Sequence, residues 1–314
     1  MIDITLQNFE AELIHASMRT PVLLDIWAPW CGPCKQLGPV LEKLEVAYAG
    51  RFALAKLDSD AQPEIAGQLS QAFGVRSIPF CVMFVGGQPV DGFVGALPES
   101  QIRAFLDKHV PSADELAAEE EAEEAEQLAA DGDADAALAK LADALAIAPQ
   151  DDAIRGDYVK RLLDAGRVAD ARRVYEPLVP KAIVDVRARA LGEWVAAFEA
   201  AATARPADTL AAAIAANKRD FDARFELARR QLAAGCPTEA MDELLEILMR
   251  DKAWGEERAR KLYVAILELL AKPAPKPAAA EAKGTLEIAG KAAAVASDPV
   301  VDGYRRKLSM VLHA

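Results

Sequence analysis

The chain has 314 residues, room for two or three ordinary domains, and is 52% hydrophobic but only 6% aromatic, a balance that favours closely packed helices over an all-β sandwich. Lys and Arg number 36 against 49 Asp and Glu, a net charge of −13, so the surface repels a phosphate backbone and nucleic acid is excluded as a partner. No apolar run reaches the roughly 18 to 20 residues of a membrane span, and the N-terminus lacks a basic n-region and an apolar h-region, so no membrane association and a cytoplasmic location are expected.

Residues 1–110 alternate between helix and strand. An amphipathic run opens at Asn8 and ends near Met18, and Pro21–Trp27 is a short β-branched apolar run typical of a buried strand. A helix is expected from Cys31 to about Tyr48, kinked by Pro39. Phe52–Leu57 predicts a strand, Glu64–Phe73 a helix, Phe80–Val85 a strand, Gly86-Gly87 a hairpin turn, Val90–Val94 its return and Glu99–His109 a last helix. The expected class is α/β, a sheet of mixed strand direction with helices on its faces.

Beyond Val110 the composition changes. Residues 111–150 hold twelve acids against Lys140 alone, which places −11 of the net charge in one stretch; such a run usually marks a solvated helix face. Everything from 111 to 271 is expected to be helical. Gly132, Gly166 and Gly235 are spaced by 34 and 69 residues. Each is followed five residues on by alanine (Ala137, Ala171, Ala240) and nine on by a larger residue (Leu141, Tyr175, Leu244). That register fits helix-turn-helix units with glycine at the turn and small residues where helices touch. The pattern resembles tetratricopeptide (TPR) repeats over roughly residues 115–270, with a unit near residue 200 that lacks the glycine. Residues 272–298, opening Lys272-Pro-Ala-Pro-Lys-Pro277, are expected to be a Pro/Ala-rich linker. Residues 299–314 regain an amphipathic stripe through Val301, Tyr304, Leu308 and Val311.

The chemistry concentrates in Trp30-Cys31-Gly32-Pro33-Cys34, between a buried strand and a helix. A thiol at a helix N-terminus is stabilised as thiolate by the macrodipole and by unpaired N–H groups. Cys31 is therefore expected to be the nucleophile, and Cys34, one turn on, to attack a mixed disulfide at Cys31. The alternative is zinc, but a second ligand pair is needed, and Cys81, Cys236, His15, His109 and His313 offer no matching spacing. No metal or cofactor is expected. Cys81 reads as a small buried hydrophobe, with a third redox thiol as the alternative, and Cys236 has nothing nearby to activate it.

Residues 1–110 resemble thioredoxin through Asp25-Ile-Trp-Ala-Pro-Trp-Cys-Gly-Pro-Cys-Lys35, Pro39, Lys56 in Ala55-Lys-Leu-Asp58, Val75-Arg-Ser-Ile-Pro79 and Val94-Gly-Ala-Leu97. The resemblance implies a buried carboxylate of raised pKa at Asp25 that takes the proton of Cys34, with Lys56 as its charge partner. It also implies a cis proline at Pro79 after Ile78, and a target polypeptide lying against Trp30, Gly32, Pro33, Ile78, Pro79 and Gly95.

The whole chain, with its TPR-like array and terminal Tyr304-Arg-Arg-Lys-Leu helix, resembles the chaperedoxins. That resemblance implies a holdase that binds unfolding or oxidised proteins, guards their cysteines through mixed disulfides and passes them to the GroEL chaperonin. Tyr304, Arg305, Arg306 and Leu308 would be the docking residues. Some members lack the first cysteine of the pair, whereas this chain keeps both, so oxidoreductase activity is expected and thioredoxin reductase joins the expected partners. Three alternatives stay open: an oxidoreductase whose array only selects targets, a scaffold for one folded partner, and a terminal helix that merely caps the array.

Overall fold

A computed structural model describes residues 1–271 and 298–313; the expected linker, save Asp298, lies outside the described residues. Within them the chain divides into two units, residues 1–116 and residues 117–271 with 298–313.

In the first unit the elements run β1 (Ile2–Asp3), a π-helical turn (Glu10–His15) and a 3-10 turn (Ala16–Met18), β2 (Val22–Trp27), α1 (Gly32–Ala47), β3 (Ala53–Asp58), α2 (Pro63–Ala72), β4 (Phe80–Val85), β5 (Gln88–Val94) and α3 (Glu99–Leu106). The strands order as β1-β3-β2-β4-β5. β2 is parallel to β3 and antiparallel to β4, so the sheet is mixed and the α/β class stands. Two details differ from the sequence expectation. The run from Asn8 is no regular α-helix, because the Asn8 carboxamide turns back to accept the Thr5 N–H at 2.7 Å and the coil closes as a π turn. The last helix stops at Leu106, and His109 leaves it to bond the Asp91 carboxylate at 2.9 Å.

Alternation along the strands sorts the side chains into two layers. Val22, Leu24 and Ile26 share one cluster with Leu13, Leu57, Val82 and Phe84. Leu23 turns the other way, joining Leu37, Leu41 and Leu44 of α1, Cys81 and Met83 of β4, and Ile102 and Leu106 of α3. Asp25, two residues after Leu23, belongs by its phase to that second, α1-covered layer, where every neighbour on β2 is apolar. Burying each of these Leu and Ile side chains contributes about 1.5–3 kcal/mol, which is what holds a carboxylate there at all.

The second unit is all α: α4 (Ala113–Ala130), α5 (Ala134–Ile147), α6 (Asp152–Asp164), α7 (Val168–Tyr175), α8 (Val186–Ala201), α9 (Ala207–Ala216), α10 (Phe221–Ala233), α11 (Pro237–Leu248), α12 (Trp254–Leu270) and α13 (Pro299–His313). The three turn glycines have φ of +90°, +71° and +76°, the left-handed region. Each is followed by the same bond: Asp133 N–H to Leu128 O, Arg167 N–H to Leu162 O and Cys236 N–H to Gln231 O, at 2.8–2.9 Å. This is the Schellman closure, which needs a residue free of Cβ strain at that position. Ala137, Ala171 and Ala240 are buried where helices cross, as are Leu141, Tyr175 and Leu244. Between α8 and α9, where glycine is missing, a side chain takes over: Glu226 on α10 accepts the Arg205 N–H at 2.5 Å and the Arg205 Nε–H at 2.8 Å. α13 packs on α11 and α12.

Candidate functional site

The site begins with the end of β2. Cys31 has extended backbone (φ −77°, ψ 105°) at the N-cap of α1, and its sulfur accepts the Cys34 N–H at 3.2 Å. Gly32 and Pro33 fill the first turn, where proline's missing N–H costs nothing. Cys34 closes one turn later, and the two sulfurs form a disulfide with Cα atoms 5.3 Å apart. In this oxidised state both cysteines are nearly covered, 3% and 4% exposed, so accessibility does not rank them. The ranking comes from the backbone: the sulfur of Cys31 holds the orphan N–H and the positive end of the helix, which favours a thiolate at Cys31.

Around the sulfurs, Ile78 packs with Ala28, Cys31 and Cys34. The Ile78–Pro79 peptide is cis. Pro79 is buried, and its carbonyl accepts the Gly95 N–H at 2.8 Å. Gly95 sits at φ +87° with open space where a Cβ would stand, while Gly32 and Pro33 are exposed. Trp30 is 69% exposed, and its indole N–H donates to Asp60 Oδ2 at 2.9 Å, a contact the sequence did not reveal. These exposed groups surround one face of the disulfide and form a surface against which a chain can lie.

Behind the disulfide, register creates a row across three strands: Lys56 on β3 and Cys81 on β4 are both cross-strand partners of Asp25 on β2. Asp25 is 1% exposed, and with Cys34, Gly38, Pro39, Glu42 and Lys56 it lines a cleft running under α1. Burial pushes its carboxyl up to about 6, opposed by the Lys56 charge and a hydrogen bond from Cys81, and assisted by Glu42. Lys56 Nζ does not bond Asp25 directly; its ion-pair partner is Glu42 Oε1 at 2.5 Å. The lysine thus acts on Asp25 through the field and on Glu42 by contact. Cys81, expected as a buried hydrophobe with a third redox thiol as the alternative, places its Sγ 3.7 Å from Asp25 Oδ1. A carboxyl poised near 6 beneath a thiol can accept a proton at neutral pH and return it.

The terminal-helix residues belong to the second unit. Leu308 and Val301 are buried in its core. Tyr304 is half-buried; its carbonyl accepts from Tyr263 OH at 2.8 Å and its own OH donates to Thr238 O at 3.3 Å. Arg305 and Arg306 are exposed. Leu308, expected as a docking residue, therefore faces the array and not solvent. Among the described residues, no group of three or more His, Cys, Asp or Glu is placed to hold a metal ion, and no helix is long and apolar enough to cross a membrane.

Comparison with known proteins fits this geometry. The Thioredoxin family profile matches residues 1–108, and two Tetratricopeptide repeat profiles match residues 128–194 and 200–289. Thioredoxin 2 of Chlorobaculum tepidum is 46% identical over 104 residues, 33% of this chain and 90% of that protein. Thioredoxin of Haemophilus influenzae is 41% identical over 103 residues, 33% of this chain and 91% of the relative. Thioredoxin 1 of a Nostoc species is 39% identical over 107 residues, 34% of this chain and 94% of its own length. These relatives cover the first unit and leave the helical array unmatched.

Proposed function

Because this chain belongs to the thioredoxin family and carries tetratricopeptide repeats behind its thioredoxin domain, we propose that it is a chaperedoxin: a dithiol exchanger that holds unfolding or oxidised polypeptides and hands them to the GroEL chaperonin. The observation that carries the redox half is the Cys31–Cys34 disulfide at the start of α1 with Asp25 beneath it. In the reduced protein the Cys31 thiolate attacks one sulfur of a target disulfide, and the other sulfur leaves with the bonding electrons as a thiolate. Asp25 takes the proton of Cys34. The Cys34 thiolate then attacks Cys31 Sγ, expelling the target's second thiolate and leaving the Cys31–Cys34 disulfide. Target disulfide is reduced, protein dithiol is oxidised, and a thioredoxin reductase would restore the dithiol. Lys56, paired with Glu42, keeps positive charge near Asp25 and limits how far burial raises it. Exposed Trp30, Gly32 and Pro33, with Ile78, Pro79 and Gly95, would receive the polypeptide.

The holding half draws support from the array. Repeat surfaces of this kind serve to grip polypeptide, and from the end of α7 to the first residue of α8 the array exposes Val179, Ile183, Val184 and Val186, with Ile183 and Val184 79% and 84% exposed. Apolar side chains left in water at this density suit the apolar segments of an unfolding client. On α13, Arg305 and Arg306 are the expected docking residues that remain outward, and a cytoplasmic location follows from these partners. The intact cysteine pair favours a second reading, an oxidoreductase whose repeats only select its targets.

Two experiments separate the readings. With Cys31 and Cys34 both replaced by serine, insulin reduction should vanish while suppression of citrate synthase aggregation persists; loss of both activities would tie holding to the sulfurs. GroEL should co-purify with the full chain and not with one ending at Asp298. Failure of the full chain to bind GroEL removes the relay and leaves the target-selecting oxidoreductase.

A further inference from the structure

Cys81 sits where the surrounding layer is otherwise aliphatic and aromatic. It faces Asp25 across the β2–β4 ladder, is fully buried, and lies 3.7 Å from Asp25 Oδ1. Lys56 from β3, Cys81 from β4 and Glu42 from α1 act on that carboxyl, and Cys34 and Lys35 of α1 line the same cleft. Among the described residues, Cys81 alone donates a hydrogen bond to it. Burial first, and then the adjacent carboxylate, push the Cys81 thiol well above its ordinary range, so the proton stays on sulfur and the S–H is the donor.

We infer that Cys81 is a positioning residue for disulfide exchange: its S–H engages Oδ1 of the buried Asp25 and leaves Oδ2 to exchange the proton of Cys34. This rests on the dithiol reading of Cys31 and Cys34. The role is distinct from redox chemistry, since Cys81 gains and loses no electrons; it biases which protonation state of Asp25 the fold prefers. A donor to the carboxylate favours the charged form, so removing it raises the affinity of Asp25 for a proton. Less of the base form is then present at neutral pH, and the resolving attack of Cys34 on the mixed disulfide slows there.

The test uses the full chain with Cys81→Ala, Cys81→Val and Cys81→Ser. Two quantities are read: the carboxyl titration of Asp25 by carbon-13 NMR in the oxidised chain, assigned with Asp25→Asn, and the pH profile of insulin reduction driven by dithiothreitol. In Ala and Val the Asp25 midpoint should rise from about 6 by about half a pH unit or more, a weak charge-assisted hydrogen bond converted to a pKa change. The activity profile should move the same way, and Ser, which keeps a donor, should return both to the wild-type position or below. A packing defect alone lowers the melting temperature without moving the midpoint. The inference is overturned if the midpoint stays put in folded Ala and Val chains, or if Ser and Val displace it equally. A wild-type chain that fails to reduce insulin refutes the dithiol reading instead, and the NMR titration still reports on the Cys81–Asp25 contact.

Discussion

Replacing Asp25 by asparagine is expected to stabilise the first unit at alkaline pH and to do much less at acid pH. Burial moves the folded-state pKa from its ordinary 3.8 to about 6. The raised value means that the folded protein resists ionisation: stability is fully present below the unfolded value and is lost as pH climbs through the folded one. With Asp25 only 1% exposed, solvent screening does little to reduce the effect. Linkage puts the cost of ionising it at well under ~1 kcal/mol at pH 4 and about 3 kcal/mol at pH 8. Asparagine has the same shape and does not titrate, so packing and lost hydrogen-bond contributions enter equally at both pH values. The difference between variant and wild type should therefore change by about 2–3 kcal/mol between them. Urea unfolding of the oxidised full chain, read by pulsed hydrogen exchange at β2 and β3 amides, isolates the first unit from the repeats. A variant advantage that is the same at pH 4 and pH 8 would show that Asp25 is not held near 6, and the proton-acceptor role would fall with it.

Gly166→Ala should cost the array about 1–2 kcal/mol, because a Cβ is strained at φ +71° even though the surrounding space is open; an unchanged helical melting transition would contradict the Schellman account of the turn. Leu308→Ala should cost about 2–4 kcal/mol, as for other buried leucines. A chain whose urea midpoint ignores that change would mean that α13 is not seated on α11 and α12.

The strand and helix run of the first unit was legible because each buried strand is a short apolar run bounded by turn residues, and Phe80–Val85 falls where its periodicity put it. β1 was not, since two residues carry no period. In the repeats, glycine marked three turns, but the α8–α9 turn is built by Glu226 reaching back from α10, which no local pattern announces. The sulfur pair was legible from spacing alone, and Asp25 and Lys56 came through resemblance. The Glu42 contact to Lys56 and the Cys81 contact to Asp25 were not readable. Asp25 and Cys81 are 56 residues apart, and only strand order and antiparallel register bring them together. Read alone, Cys81 is an aliphatic-like residue in an aliphatic strand.

A stack of like units has no natural end: the face that would receive the next unit is as adhesive as those already covered. Here α13 lies on α11 and α12 and ties itself down through Tyr263 and Tyr304. A capping helix in that place leaves less of the face open to a further helix pair. Head-to-tail contacts of this kind propagate without closing and yield filaments. The fifteen residues of α13 thus cover part of the surface of α11 and α12 that an added helix pair would need.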